Sequence, residues 1–252
     1  MKVYEISFSP TGGTRKAALA VAEALSDTVV SVDLTDSAFD FGSVHLDAGD
    51  VAVIAAPAYG GRVPAVAIQR LAQIQGNGAW AILVAVYGNR AFEDTLVELE
   101  DTAKAAGFSI AAGVGAVAEH SIARQFAAGR PDEADCKELA DFARQIAHKL
   151  EAGGAAPVLP GNRPYKKAGG SGMVPKATDD CVRCGLCAAK CPVNAIDKAD
   201  PKKVNGDACI SCMRCVAVCP HDARKVNGVM LAAVGAMLKK VCSEPKKNEL
   251  FL

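Results

Sequence analysis

CVRCGLCAAKCP at residues 181–192 and CISCMRCVAVCP at residues 209–220 are two copies of one pattern, C-x2-C-x2-C-x3-C-P. Eight of the chain's ten cysteines fall in this stretch: Cys181, Cys184, Cys187, Cys191, Cys209, Cys212, Cys215 and Cys219. In a secreted chain so many cysteines would read as disulfides, whereas crowded into a short repeat they read as metal ligands. A cube of four irons takes one thiolate per iron. Three thiols spaced by two residues wrap one corner of such a cube, and the fourth ligand comes from elsewhere. Structural zinc wants separated C-x2-C pairs, four ligands to a site. Two triple-cysteine runs, each with a trailing Cys-Pro, fit a 4Fe–4S cluster instead. Cys136 and Cys242 lie outside the repeat and read as ordinary thiols.

Upstream, residues 1–150 alternate short apolar runs with amphipathic stretches. The runs predict strands at Lys2–Ser7, Val29–Asp33, Asp50–Ala56, Ala79–Val86 and Ser109–Ala118. The 3.6-residue period predicts helices at Arg15–Leu25, Ala65–Ile74, Phe92–Ala106 and Glu133–Leu150. Strands that are apolar throughout need both sheet faces covered, and strand–helix alternation argues a parallel α/β sheet of five strands. A Gly/Pro-rich stretch follows, which reads as a linker with Tyr165 and Met173 as apolar anchors. Beyond the cysteine repeat, Met230, Val234, Met237, Leu238 and Val241 have the spacing of a packed helix. The expected division is 1–151 α/β domain, 152–178 linker, 179–228 small α+β cysteine domain, and 229–252 helix and tail.

Charge is uneven. Residues 1–160 hold 12 Lys+Arg against 20 Asp+Glu, and residues 161–252 hold 16 against 8. The basic excess around the thiolates is what their own negative charge calls for, and needs no nucleic acid. No apolar run nears the roughly 20 residues of a membrane span. Residues 1–8 read as a strand and not a signal peptide, so the default expectation is a cytoplasmic protein.

The first strand runs into Ser9-Pro10-Thr11-Gly12-Gly13-Thr14 and then a helix. Backbone N–H groups of a Gly-rich turn at a helix start make an anion site, and three hydroxyls add donors. The turn lacks the lysine of a P-loop, so it suits a phosphate monoester that stays bound. The third strand ends in Pro57-Ala58-Tyr59-Gly60-Gly61-Arg62 and the fourth in Tyr87-Gly88-Asn89-Arg90. Ligands of open α/β sheets sit at these carboxyl ends. Two tyrosines are placed to sandwich a flat ring, and the glycines let backbone approach it. His120, Ser121 and Arg124 follow the fifth strand and read first as loop residues, with a pocket-lining role as the lesser alternative.

The cysteine repeat resembles the bacterial-type two-cluster ferredoxins, in which the fourth cysteine of each run ligates the other cluster. That resemblance implies one cluster on Cys181, Cys184, Cys187 and Cys219, and a second on Cys209, Cys212, Cys215 and Cys191. Residues 1–150 resemble the flavodoxin family, whose phosphate loop reads T/S-x-T-G-x-T. Ser9, Thr11, Gly12, Gly13 and Thr14 match it. The resemblance implies FMN, with Pro57, Ala58, Tyr59, Gly60 and Gly61, and Tyr87, Gly88 and Asn89, as the ring loops. Arg62 and Arg90 stand where short-chain flavodoxins carry acids, which implies an anionic flavin state. The whole chain resembles flavodoxin–ferredoxin fusion proteins. The function implied is electron transfer between clusters, FMN and ferredoxin-type partner proteins. The alternative is an FMN-dependent oxidoreductase that reduces a small substrate with a proton from Tyr59, Tyr87 or His120.

Overall fold

In the computed structural model of the chain, residues 1–170 and 172–252 are described; Ser171, within the expected linker, lies outside them. The first strand, β1 (Val3–Ser7), is buried along its whole length. It leads through the Ser9–Thr14 turn into α1 (Gly13–Ala22), then β2 (Val29–Asp33), β3 (Val51–Pro57), α2 (Ala65–Leu71), β4 (Trp80–Tyr87), α3 (Thr95–Ala105), β5 (Ser109–Val117) and α4 (Glu133–Ala152). The five strands are parallel in the order β2-β1-β3-β4-β5. This is the doubly wound, flavodoxin-like order, which reverses direction between β1 and β3.

The two-residue period of β3 explains the three layers. Ala52, Ile54 and Ala56 face a core shared with Ala67 and Leu71 of α2 and with Leu96 and Leu99 of α3. Val51, Val53 and Ala55 face the opposite core, shared with Ala17 and Val21 of α1 and with Leu139 and Ile146 of α4. A capping box between Asp132 and Asp135 starts α4, and Gly153, in the left-handed region, ends it. The helix at the head of the fourth crossover starts later than its pattern predicts, at Thr95 and not Phe92. Glu93 takes a positive φ there, and the Asp94 carboxylate is turned away from capping. That carboxylate accepts the N–H groups of Asn162 and Lys166 at 2.9 and 2.8 Å, so it holds the connecting strap instead.

The strap is tied down along its length. Leu159 enters the core, Arg163 pairs with Asp101 and Glu100, and Met173 is buried. The cysteine region follows with β6 (Lys176–Ala177), α5 (Leu186–Ala189), α6 (Arg214–Ala217) and β7 (Arg224–Lys225), the two strands pairing antiparallel. The last helix, α7 (Gly228–Cys242), forms where the Met230–Val241 spacing predicts one, but it buries Gly235, Leu238 and Cys242 and leaves Met230, Met237 and Val241 exposed. The tail beyond it forms β8 (Glu249–Phe251), a sixth strand antiparallel to β5. Three residues carry no periodicity, so this strand has no signature in the sequence. Buried Asn248 anchors it: its carbonyl accepts the Val117 N–H at 2.8 Å, and its amide donates to Asp135 and Glu138. No helix among the described residues is long and apolar enough to cross a membrane.

Candidate functional site

The cysteine repeat folds into two similar halves. Cys181, Cys184, Cys187 and Cys219 line one cavity. Cys191, Cys209, Cys212 and Cys215 line another. Each set takes three thiols from one run and the fourth from the other. The backbone repeats with the sequence, 28 residues apart. Left-handed φ angles occur in matched pairs: Arg183 and Ser211, Gly185 and Met213, Asn194 and Asp222. These turns curl each run so that its side chains converge. At the trailing cysteines, Ala195 N–H donates to Cys191 Sγ and Ala223 N–H to Cys219 Sγ, both at 3.3 Å. N–H···S bonds of this kind lower the charge on sulfur and tune a cluster's potential.

Burial pushes the Cys212 thiol up to about 11 and the Cys215 thiol up to about 12. Such thiols do not ionise unaided at neutral pH, whereas iron ligation deprotonates them outright. The donor set is therefore chemically suited to 4Fe–4S clusters: soft sulfur, four per cavity, inside an apolar wall.

The two cavities sit differently. The Cys191–Cys215 cavity is the inner one, against the carboxyl ends of β1 and β2. Arg214, which lines it, donates to the carbonyls of Ser9 and Pro10 at 3.3 and 3.4 Å and lies 3.7 Å from Asp33. Arg70 reaches across to the Pro192 carbonyl at 2.6 Å. Desolvation raises the Tyr59 phenol well above its ordinary range, and the nearby Cys212 thiol pushes it further. The Cys181–Cys219 cavity is the outer one, and Cys184 is exposed.

The three strand-end loops differ in what they offer. In the first, Ser9 Oγ accepts the Arg15 N–H at 2.9 Å and starts the helix. Gly12 adopts φ +96°, Thr11 and Gly12 are exposed, and Thr14 is buried. Among the described residues the N–H groups of Thr11, Gly12, Gly13 and Thr14 have no backbone acceptor. This is the donor array a phosphate requires. In the second, Tyr59 and Arg62 exchange backbone hydrogen bonds across a tight turn. Gly60 and Gly61 have φ +62° and +86° there, and a Cβ on Gly61 would strike the Glu93 side chain. Pro57 and Ala58 are half-buried beneath it.

The third loop is held by the tail. Tyr87 lies in the core, edge-on to Phe92 at 5.4 Å, and its hydroxyl donates to the Lys247 carbonyl at 3.2 Å. The Asn89 amide donates to the carbonyls of Cys242 and Glu244 at 2.6 and 3.0 Å and accepts the Lys246 N–H at 2.9 Å. A Cβ on Gly88 would strike His120. Tyr87 therefore packs as a core residue here, with its ring against Phe92. No local signal in the sequence tells that a segment about 155 residues away covers this loop.

The arginines also depart from expectation. Arg62 forms a two-pronged pair with Glu98 at 2.7 and 2.8 Å and stacks on Tyr165. Arg90 pairs with Glu93 at 2.7 Å. Both cations are thus neutralised by carboxylates of the domain, and neither is a free charge for an anionic flavin. Burial lowers the His120 pKa, and its Nδ1 accepts the N–H groups of Ile122 and Ala123 at 3.2 and 3.1 Å. That is a turn-organising role. Arg124 pairs with Glu119. Cys242 packs with Ala123, Phe126 and Leu238 as a buried apolar thiol.

Residues 173–229 match the 4Fe-4S dicluster domain family. A 28-residue segment is 57% identical to a ferredoxin of Clostridium pasteurianum, covering 11% of this chain and 50% of that protein. The chain thus spans half the length of that curated relative. Among solved structures, a Streptococcus pneumonia TIGR4 flavodoxin is 21% identical over 59% of this chain and 99% of its own, with a TM-score of 0.42. Oxidised flavodoxin 1 of Bacillus cereus is 15% identical over 59% and 98%, also at 0.42. Rubredoxin oxygen:oxidoreductase of Desulfovibrio gigas is 19% identical over 60% and 36%, at 0.43. The chain joins an α/β domain of flavodoxin-like strand order to a C-terminal ferredoxin-type 4Fe-4S domain. That combination supports a role in electron transfer.

Proposed function

We propose that this chain is an electron carrier with two 4Fe–4S clusters and FMN, which passes electrons between its clusters, the flavin and ferredoxin-type partner proteins. The observation that carries the reading is the pair of cavities, each lined by four thiols with one exchanged between the runs. The ligand sets are Cys181, Cys184, Cys187 and Cys219 for the outer cluster, and Cys191, Cys209, Cys212 and Cys215 for the inner. The functional units are residues 1–151 and 179–228, with 152–178 as the strap between them. The loop from Ser9 to Thr14 holds the phosphate on its unpaired N–H groups, and the loop from Pro57 to Gly61 meets the ring. Tyr87, Gly88 and Asn89 contribute only when residues 243–248 release them.

When bound, FMN exchanges one or two electrons and each cluster exchanges one. The chain's own residues supply proximity. Arg214 and Arg70 fasten the inner cavity to the ends of β1 and β2, and Tyr59 lies near enough to Cys212 to feel its charge. The tether replaces a bimolecular encounter by an intramolecular one. Two of the three proton donors that a substrate-reducing enzyme would draw on are otherwise engaged: the Tyr87 hydroxyl on Lys247 and the His120 ring on its own turn. This favours the carrier over the oxidoreductase.

Iron and acid-labile sulfide of anaerobically prepared full-length protein test the reading. The expected result is about eight of each per chain, with flavin bands beside the broad cluster absorption. Markedly fewer irons, or a colourless zinc-loaded protein, would remove it.

A further inference from the structure

The internal repeat puts a cation on each cavity in a different way: Arg214 of the inner half stands where the outer half has Leu186 and is paired with Asp33 at 3.7 Å, whereas Arg224 of the outer half is fully buried. Five residues after each trailing cysteine stand Ile196 and Arg224, each on a short antiparallel pairing. Ile196 is 4% exposed and lines the inner cavity as an apolar wall. Arg224 is 2% exposed and lines the outer cavity. Its guanidinium donates to Cys187 Sγ at 3.6 Å, to the Pro175 carbonyl at 3.1 Å and to the Pro201 carbonyl. Its Nε is buried with no partner, and among the described residues no carboxylate is hydrogen-bonded to it. A buried cation without a counter-charge is costly. Four thiolates around an iron cube supply that counter-charge, about −2 for the oxidised cluster.

We infer that Arg224 makes the two clusters unequal, so that the outer cluster has the higher reduction potential and holds the electron that the pair shares. The inference rests on the two-cluster reading above. Adding one electron makes a cluster more negative by one charge, and Arg224 stabilises that charge most where it touches a ligand sulfur. Its field also reaches Cys209 and Cys215 of the inner set, but without a hydrogen bond. Solvent near exposed Cys184 acts in the same direction, whereas Cys191 and Cys212 of the inner set are buried. One electron leaves the inner cluster, which is oxidised by one, and enters the outer cluster, which is reduced by one; no proton moves.

The test is an anaerobic potentiometric titration of the full-length cluster-loaded protein, followed by electron paramagnetic resonance, with iron counted in every sample. The wild type is expected to give two one-electron waves. Arg224→Ile, which copies the inner half, is expected to lower the upper wave by at least tenfold in reduced-to-oxidised ratio, about 59 mV. The lower wave is expected to move less, so that the two converge. Arg224→Lys keeps a charge and is expected to keep the waves apart. If Arg224→Ile does not retain about eight irons, Arg224→Gln gives the same reading without the apolar change. Coincident waves in a wild type with about eight irons overturn the inference and leave the two-cluster reading standing. An unmoved upper wave in the neutral variant, or a larger shift of the lower one, does the same. A wild type with about four irons overturns both.

Discussion

The cysteine module and the strand-end loops are built in opposite ways. In the module, the ligands come from two short runs whose left-handed turns recur at Arg183 and Ser211 and at Gly185 and Met213. Geometry there is local, and the one long-range element is the exchange of Cys191 and Cys219. At the strand ends, three loops from three strands converge, and other parts of the chain decide what each can touch. The cysteine module lies near half-buried Tyr59, and the tail engages Tyr87 and Asn89. A site written into a repeat survives rearrangement elsewhere, whereas a site assembled from separate loops depends on every segment laid over it.

The exchange of cysteines makes the sharpest break. Cys191→Ala and Cys209→Ala, though in different runs, are expected to remove the same inner cluster and leave about four irons per chain. Cys219→Ala and Cys181→Ala are expected to remove the outer one, and the electron paramagnetic resonance signals of the two pairs should differ. If Cys191→Ala instead groups with Cys181→Ala, each run serves its own cluster and the comparison fails.

Gly61→Ala probes the loop side. A Cβ there meets the Glu93 carboxylate at φ +86°. The variant is expected to lose about 2–3 kcal/mol of stability, read by chemical denaturation, and to weaken FMN binding while iron content stays unchanged. Iron loss in step with the flavin would show that the two sites are not independently built.

Asn248→Ala releases the tail. It leaves the Val117 N–H without its acceptor, at a cost of about 2 kcal/mol. Hydrogen exchange should quicken at residues 244–251. FMN should bind several-fold more tightly as Tyr87 and Asn89 come free. Unchanged affinity would mean that the third loop takes no part in ring binding.

The smallest effect is a pH dependence of the strap. Hydrogen bonds from the Lys166 N–H, and then from Asn162, hold the Asp94 carboxyl below its ordinary range. A depressed folded-state pKa gives stability that is complete above the unfolded value of about 4 and is lost as pH falls through the folded value. Amide exchange at Asn162 and Lys166 should therefore quicken on acidification below about pH 4. Asp94→Asn should flatten that response, and an unaltered acid limb would contradict the assignment.

Strand runs such as Val29–Asp33 and helices such as the one from Glu133 were legible because periodicity and capping are local. The start of α3 was misread because Asp94, which looks like part of a helical pattern, spends its carboxylate on the strap. Arg62 and Arg90 were legible as cations near the loops but not as paired ones, since Glu98 joins Arg62 from a different element. Ile196 and Arg224 can be aligned from the repeat, but alignment does not say that the arginine is buried against a thiol.

By itself the sequence determined the chemistry and the local shape: thiol spacing that fits iron cubes, a hydroxyl- and glycine-rich turn after β1, and apolar strands that need cover on both faces. Only the tertiary structure decided which groups are free to act. The tail strand on β5, the module seated over the ends of β1 and β2, and the guanidinium sealed beside Cys187 all join residues far apart in the chain. Their energies come from burial and from hydrogen bonds made on closure, which no short window of residues carries.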